Sequence, residues 1–247
     1  MELNICHLYP DLLNVYGDVG NILILKNRAE SRGIKVNVIN ISLKDDFKSD
    51  EMDIVFFGGG QDYEQSIVSE DLKNNKQEEL SKYIEAEKVF LAICGGYQLL
   101  GKYYRAPNGE KLKGLGILDI YTEGGDTRFI GNTVIYNEDT KETYVGFENH
   151  SGRTYINNLK PLGKCIYGYG NNGEDGNEGC IYKNTFCTYF HGSLLSKNPE
   201  LADRMIRLAL EKKYENVTLD PLDDTFALKA KESIIDSYKS ENWNKQN

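Results

Sequence analysis

The sequence predicts an α/β fold in which helices cover both faces of a central, mostly parallel sheet. The first half alternates short, continuously apolar runs with amphipathic segments, which is typical of buried parallel strands joined by helices. The second half carries short runs rich in tyrosine and glycine, separated by hairpin-like turns. We therefore expect additional antiparallel strands in the second half.

The periodicity of apolar residues defines the elements of the first half. Between the first two predicted strands, Ile22, Leu25 and Ala29 share one helical face. Asp18 and Asn21 are candidates to cap that helix. A second, charged amphipathic helix is expected over residues 72–87. The strands are predicted at residues 3–8, 34–39, 53–57 and 89–93.

The second half is predicted to contain short strands followed by helices. A helix is expected over residues 199–213, and a polar helical tail follows Asp223. We interpret residues 1–213 as one domain and residues 214–247 as a C-terminal helical tail. The strands are predicted at residues 114–119, 133–136, 143–147, 165–169, 179–182 and 185–190, with a polar loop at 171–179.

Composition excludes several classes of function. The 247 residues carry a formal net charge of −9 and a pI near 5.0, which argues against nucleic acid or an anionic membrane as the main partner. We find no apolar run of the ~20 residues that a membrane span needs, and no signal segment at the N-terminus.

Cysteine usage indicates a reducing compartment. Five cysteines without regular spacing fit the cytoplasm better than a disulfide framework. Cys6, Cys165, Cys180 and Cys187 fall mostly in strand-like runs, so we interpret them as core residues. Their spacing matches no zinc pattern, and no metal site is predicted.

The fifth cysteine lies at an abrupt change from strand to helix. The apolar run at residues 89–93 leads through Cys94 into Gly95 and Gly96, after which the apolar spacing suits a helix. Such a turn places Cys94 at the carboxyl end of a strand and at a helix N-terminus, where a thiolate is stabilised. A nucleophile and a buried structural cysteine are both open interpretations of Cys94.

A second glycine-rich turn is expected beside Cys94. Gly58–Gly60 follow a strand that should neighbour the Cys94 strand, and reactive sites in open α/β sheets form at the carboxyl ends of strands. Backbone N–H groups there, with that of Gly95, are suited to stabilising an oxyanion. A simple tight turn is the alternative, since the spacing and the lysine of a phosphate-binding loop are missing.

A cysteine nucleophile needs a base, and the chain offers three histidines. His191 leaves an apolar strand just before a glycine, and we favour it over a plain surface histidine. His7 lies within the first strand and suits a structural role, while His150 is expected in a polar loop and is either a site wall or a partner contact. Gln98, one helical turn beyond Cys94, is positioned to hydrogen-bond a polar substrate group.

These residues resemble a known family. Cys94-Gly95-Gly96-Tyr97-Gln98 is similar to the C-x-G-x-Q motif of class I glutamine amidotransferases, and His191 falls where their histidine does. The resemblance is strongest to the cobyric-acid-synthase-like branch and, within it, to GatD-type glutaminase subunits of lipid II isoglutaminyl synthase. It implies a flavodoxin-like fold. The supporting stretches are residues 13–21, 58–65, 114–119, 146–154, 168–172 and 191–195.

The resemblance implies a glutaminase that needs no cofactor. Cys94 would attack the side-chain amide of L-glutamine, and His191 would shuttle protons. The N–H groups of Gly59, Gly60 and Gly95 would hold the oxyanion. Ammonia would leave, and water would release glutamate from a thioester.

The substrate-binding residues that we expect are Arg128, Gln98 and His150. Arg128 falls where the family places a glutamine-binding arginine, which would pair with the substrate α-carboxylate. An exposed salt bridge is the alternative for Arg128.

The chain departs from the family where the third catalytic residue is usually found. Many class I enzymes carry a glutamate two residues after the histidine, but Ser193 occupies that position here. The third residue would therefore come from elsewhere in the chain or from a partner. We favour the partner, which would make the isolated chain a poor glutaminase.

The implied partner is an ATP-dependent, Mur-ligase-like subunit of the MurT type. The sequence contains no ATP-binding motif, so the ammonia would serve a second protein in a heterodimer. That protein would amidate the D-glutamate of the lipid II stem peptide to D-isoglutamine. Two alternatives stay open: a stand-alone cysteine amidase or γ-glutamyl hydrolase, and a binding module on the same scaffold.

Overall fold

A computed structural model describes the backbone of residues 1–246 and the side chains of residues 1–238. Residue 247, the end of the predicted tail, lies outside the described residues. None of the described helices combines the length and the apolar character that crossing a bilayer requires.

A six-stranded sheet forms the centre of the molecule. Its strand order is β11-β12-β4-β3-β1-β2, and every neighbouring pair is parallel except β11 with β12. The predicted mostly parallel sheet is thus confirmed. Its strands are β1 (Glu2–Leu8), β2 (Lys35–Ile41), β3 (Ile54–Phe57), β4 (Val89–Ile93), β11 (Cys180–Tyr182) and β12 (Thr185–Thr188).

Helices cover both faces of this sheet, as predicted. Buried apolar residues of α1 and α5 form one hydrophobic cluster with the sheet, and those of α2 and α3 belong to a second cluster on the other face. The first cluster includes Ile22, Leu25 and Ala29, as the periodicity predicts. The helices are α1 (Gly20–Glu30), α2 (Asp62–Asp71), α3 (Gln77–Glu85), α4 (Gly95–Leu100), α5 (Pro199–Glu211) and α6 (Thr225–Gln246).

A second, mainly antiparallel sheet is built from the middle of the chain. Its centre is the long hairpin of β7 and β8, in which Val134 pairs with Val145. The predicted additional antiparallel strands are therefore confirmed. Of the strands in this sheet, β5, β6 and β10 were not predicted, and β5 pairs with β7 in parallel. The strands are β5 (Tyr103–Arg105), β6 (Lys111–Lys113), β7 (Tyr121–Asn137), β8 (Glu142–Tyr155), β9 (Gly163–Tyr167), β10 (Asn177–Glu178) and β13 (Phe190–His191).

Two segments differ from the sequence predictions. Residues 114–119 are not a strand: their amides bond to the end of α4, with Leu115 N–H donating to Leu99 O at 2.8 Å. The predicted helix over residues 72–87 begins with a π-helical turn at Leu72–Lys76, and α2, which we did not predict, precedes it directly.

The two predicted caps of α1 are wrong. Neither side chain makes a capping hydrogen bond at the start of the helix. The Asn21 side chain instead accepts a hydrogen bond from Leu195 N–H at 3.0 Å. Asp18 points toward the carboxyl edge of the sheet, where another role is described below.

The C-terminal tail contains the predicted helix. Lys231 of α6 forms an ion pair with Glu200 of α5 and donates to Thr143 O at 2.7 Å. The Tyr238 ring stacks on Tyr167 with 3.6 Å between centroids. The boundary between residues 213 and 214 stays a prediction.

A buried ion pair joins the π-helical turn to the end of α2, and a tyrosine that follows β1 bonds to the same carboxylate. Lys76 is 1% exposed, and its ammonium donates to Asp71 Oδ2 at 2.5 Å. The same carboxylate oxygen accepts the Tyr9 hydroxyl at 2.7 Å. Removal of one member of such a pair leaves the other charge buried without compensation.

We predict that Lys76→Ala lowers the free energy of unfolding by about 3 kcal/mol, because it leaves the Asp71 carboxylate without its cation. Chemical denaturation measures the change. Lys82→Ala is the control, since its ion pair with Asp50 joins two exposed side chains. A loss for Lys76→Ala no larger than that for Lys82→Ala would contradict the prediction.

Candidate active site

Three parallel strands bring the predicted site residues to one edge of the central sheet. β3 and β12 lie on either side of β4, with Phe57 beside Ala92 and Thr188 beside Ile93. The segments that follow these strands therefore begin next to one another. They contain Gly58–Gly60, Cys94 and His191.

Cys94 occupies the sharp turn that the sequence predicts. Its backbone has φ 50° and ψ −103°, a conformation that is strained for a residue with a Cβ. The Cys94 N–H donates to Thr188 O at 2.9 Å, and α4 starts at the next residue. The side chain is only partly buried, so the turn presents the thiol at the sheet edge, as nucleophile elbows do.

Glycines permit the close packing around this turn. A Cβ on Gly96 would lie 2.6 Å from Phe57 O, and a Cβ on Gly58 would lie 2.3 Å from Leu13 O. Both distances are much shorter than a van der Waals contact, and the atoms that a Cβ would meet belong to the backbone. Gly96 therefore lets α4 approach the end of β3, and Gly58 lets the turn after β3 approach the loop after β1.

His191 lies beside Cys94 and pairs with a carboxylate of this chain. Its Nδ1 is 3.1 Å from Asp18 Oδ1, and both side chains are fully buried. Asp18 Oδ2 also accepts the Gly59 N–H at 3.0 Å. Our expectation that a partner protein supplies this carboxylate is wrong, because Asp18, in the loop between β1 and α1 of this chain, occupies the position.

The electrostatics of His191 favour its protonated form. Burial by itself lowers the pKa of His191, but the Cys94 thiolate and the Asp18 carboxylate raise it to about 10. The other ring nitrogen, Nε2, is buried without a hydrogen-bond partner among the described residues. The His191 ring and the Cys94 side chain both lie next to Gly59. A Cβ on Gly59 would be 2.8 Å from His191 Cε1 and 3.2 Å from Cys94 Cβ.

Two of the three predicted oxyanion donors are free to act. Among the described residues, the N–H groups of Gly60 and Gly95 donate to no other group. They lie close together, as a Cβ on Gly95 would be 3.1 Å from Gly60 N. Gly59 was assigned wrongly, because its N–H already donates to Asp18.

A cavity of about 590 Å³ opens above Cys94, and all three predicted substrate-binding residues line it. The Arg128 guanidinium donates to Asn149 Oδ1 at 2.5 Å and lies 3.5 Å from the Tyr16 hydroxyl. No ion pair of Arg128 occurs within residues 1–238, so the salt-bridge alternative does not describe it. Its charge is available to a ligand.

His150 and Gln98 form buried parts of the cavity wall, and the expected loop position of His150 is wrong, because the residue lies within β8. The His150 ring stacks on Tyr189 at 3.6 Å, and its Nδ1 donates to Gly152 O at 2.8 Å. Burial lowers the pKa of His150, although Glu148 opposes the shift. Gln98 Nε2 donates to the Tyr189 hydroxyl at 3.1 Å.

Sequence reasoning missed Asp18 and Tyr16 as site residues. Both lie in the turn-rich stretch before α1, where local pattern suggested only a helix cap. The edge of the Tyr16 ring contacts His191, with 4.9 Å between centroids. Only the family resemblance of residues 13–21 indicated that this stretch matters to the site.

His7 lies away from this arrangement. It is buried in β1 against Phe56, and burial lowers its pKa to about 4 despite the opposing charges of Asp18 and Asp11. Among the described residues, no three His, Cys, Asp or Glu side chains are grouped to hold a metal ion.

Comparison with known proteins places the chain among glutamine amidotransferases. The family of CobB/CobQ-like glutamine amidotransferase domains matches residues 4–199. The GatD subunit of the glutamine-hydrolysing lipid II isoglutaminyl synthase of Streptococcus pneumoniae is 50% identical over 95% of this chain and 91% of that protein. The corresponding subunit of Staphylococcus aureus is 46% identical over 95% of this chain and 96% of that protein.

More distant relatives share the domain or the fold. A cobyric acid synthase of Clostridium botulinum is 31% identical over 76% of this chain and 41% of that protein. A crystal structure of a glutamine amidotransferase matches with a TM-score of 0.54 at 13% identity, over 83% of this chain and 98% of that chain. Another, from Thermotoga maritima, matches with a TM-score of 0.52 at 14% identity, over 94% of this chain and 92% of that chain.

The last two matches show the fold alone, whereas the family match and the two GatD subunits extend over most of the sequence. This chain therefore belongs to the CobB/CobQ-like glutamine amidotransferase family, in the group that includes the GatD subunits of lipid II isoglutaminyl synthase.

Proposed function

We propose that this chain is the glutaminase subunit of a lipid II isoglutaminyl synthase. It hydrolyses L-glutamine to glutamate and ammonia, and the ammonia serves a MurT-type, ATP-dependent, Mur-ligase-like subunit. That subunit amidates the D-glutamate of the lipid II stem peptide to D-isoglutamine during peptidoglycan synthesis. The names of the two most similar subunits described above support this assignment.

One structural observation carries the catalytic part of the proposal. A strained, partly exposed cysteine shares a sheet edge with a buried histidine–carboxylate pair, at the foot of a cavity that contains an available arginine. A cysteine nucleophile needs an adjacent base, which the histidine provides. A substrate carboxylate pairs with a cation, which the arginine provides.

The first half of the reaction uses Cys94 and His191. The thiolate attacks the side-chain carbonyl carbon of glutamine, and the N–H groups of Gly60 and Gly95 stabilise the resulting oxyanion. Because His191 is held protonated, it donates a proton to the departing nitrogen. Ammonia leaves, and the substrate remains bound to Cys94 as a thioester.

The second half regenerates the thiolate. His191, now neutral, takes a proton from water, and the hydroxide equivalent attacks the thioester carbonyl. The tetrahedral intermediate uses the same two N–H donors and collapses to glutamate. Asp18 keeps the imidazole in one orientation through both steps and stabilises its charged form.

We propose a cytoplasmic location for this reaction. The five cysteines, all within the described residues, carry free thiols, which suits a reducing compartment. An ATP-dependent partner also requires access to the ATP of the cytoplasm.

The proposal predicts that Cys94→Ala abolishes only the glutamine-dependent reaction. In the complex with the Mur-ligase-like subunit, release of glutamate should fall by at least about a thousandfold, because the nucleophile is lost. Amidation of lipid II should persist when an ammonium salt replaces glutamine. Glutamate release and lipid II amidation are measured side by side.

Cys165→Ala is the matched control for this experiment, because Cys165 is a partly buried thiol of β9 outside the cavity. Glutamate release by the Cys94→Ala complex would refute the mechanism. Glutaminase activity without any amidation by the complex would instead indicate a stand-alone hydrolase.

The position of Asp18 predicts that Asp18→Asn lowers kcat by roughly 10²–10⁴-fold even in the complex, because an amide fixes the wrong tautomer of His191. Steady-state ammonia release measures the effect. Asp11→Asn is the control, since Asp11 is an exposed residue near the same loop. Full activity of Asp18→Asn in the complex would mean that the partner supplies the carboxylate.

The raised pKa of His191 predicts that its ring stays protonated at pH 7.5 and loses its proton only as the pH approaches about 10. The other two rings should be neutral at pH 7.5, because burial lowers the pKa of His7 and His150. Histidine-selective NMR resolves the three titrations.

Cys94→Ala should lower the pKa of His191 in the same experiment, because it removes the thiolate that contributes most to the upward shift. A neutral His191 in the wild-type protein at pH 7.5 would contradict the thiolate–imidazolium pair.

A further inference from the structure

We propose that Glu64 binds the α-ammonium group of L-glutamine, opposite the Arg128 that faces its α-carboxylate. The inference rests on the proposed glutaminase function and deepens it. It makes Glu64 a specificity residue that restricts the enzyme to free glutamine with an unblocked α-amino group.

The first observation is an unsatisfied carboxylate in the cavity wall. Glu64 belongs to the first turn of α2 and lines the same cavity as Cys94 and Arg128. Its Oε2 is shut off from solvent and accepts no hydrogen bond from any described group. A carboxylate oxygen without water or a donor is costly, so the site lacks a donor that a ligand can supply.

Two other acceptors of the cavity wall share this pattern. The Oε1 atoms of Gln65 and Gln98 also have no donor among the described residues, although these side chains are only 3% and 4% exposed. Their amide nitrogens are already engaged, by Gly60 O and by the Tyr189 hydroxyl. The Gln65 amide lies against Gly95, where a Cβ would be 3.0 Å from its Cδ, so it belongs to the part of the wall near Cys94.

The charges of the cavity are arranged for a dipolar ligand. In the wall formed by β7 and β8, Arg128 carries a positive charge. His150 lies in the same wall, but burial lowers its pKa and so favours the neutral ring. Glu64 is a carboxylate of the wall formed by α2, in the same cavity. Asp62, the other carboxylate of that wall, already accepts the Tyr104 hydroxyl at 3.1 Å.

A free α-amino acid carries a partner for each of these two charges. Its carboxylate pairs with Arg128, and its ammonium donates to the Glu64 carboxylate. The terminal torsion of a glutamate side chain is broad, so a small rotation turns either carboxylate oxygen toward the ligand. A glutamine whose nitrogen is acylated, as in a peptide, carries no charge there and leaves Glu64 unpaired.

Glu64→Gln tests this inference in the full chain purified with its Mur-ligase-like partner. Two substrates are compared by ammonia release: L-glutamine, and glutaramate, which is glutamine without the α-amino group. We expect Glu64→Gln to raise KM for L-glutamine by at least about tenfold, with kcat within about twofold of wild type, since a charge-assisted hydrogen bond is lost. The kinetics with glutaramate should not change.

Two further variants separate recognition from structure. Glu64→Asp keeps the charge and should raise KM for L-glutamine less than Glu64→Gln does. Glu70→Gln, on the exposed side of the same helix, should leave KM unchanged.

The inference is overturned if Glu64→Gln raises KM equally for both substrates, or for neither. Failure of the underlying function has a different signature, because the wild-type complex would then release no ammonia from L-glutamine.

Discussion

The site depends on one carboxylate that bonds to two segments at once. The fully buried Asp18 carboxylate accepts a hydrogen bond from His191 Nδ1, which lies 3.1 and 3.2 Å from its two oxygens, and another from the Gly59 N–H. It thereby ties the loop after β1, the glycine turn after β3 and the end of β13 into one rigid group. A buried charge of this kind is stable only while both partners stay in place, so the interaction also fixes the geometry around Cys94.

Close packing of backbone against backbone is the second constraint on the site. The elbow at Cys94 can stand between β3 and β12 because Gly58 and Gly96 have no Cβ where the chain segments meet. This packing sets the N–H groups of Gly60 and Gly95 side by side. Because they are fixed before the substrate binds, little reorganisation is needed when charge develops on the carbonyl oxygen.

Charge is distributed in the cavity according to the chemistry at each end. The reacting end holds the Cys94 sulfur beside the His191 ring, whose raised pKa favours the protonated imidazolium. The proposed recognition end contains a guanidinium, Arg128, and a carboxylate, Glu64, which line the same cavity. In the proposed complex, a zwitterionic amino acid spans these groups with its side-chain amide directed at Cys94. Binding and reaction would then use different parts of one cavity, to which the second sheet contributes through β7 and β8.

The sequence by itself determined the central strands, the covering helices other than α2, the turn at Cys94 and the histidine that faces it. Each is encoded within a few neighbouring residues, as apolar periodicity or as glycine next to a strand end. Tertiary structure alone decided the partner of His191, since Asp18 lies 173 positions away in the chain and its local pattern indicates a helix cap. It also decided that Gly59 is no oxyanion donor, because Asp18 takes its N–H, and that residues 114–119 bond to α4 instead of forming a strand. Contacts between distant segments override local preference at these positions, and no short stretch of sequence records them.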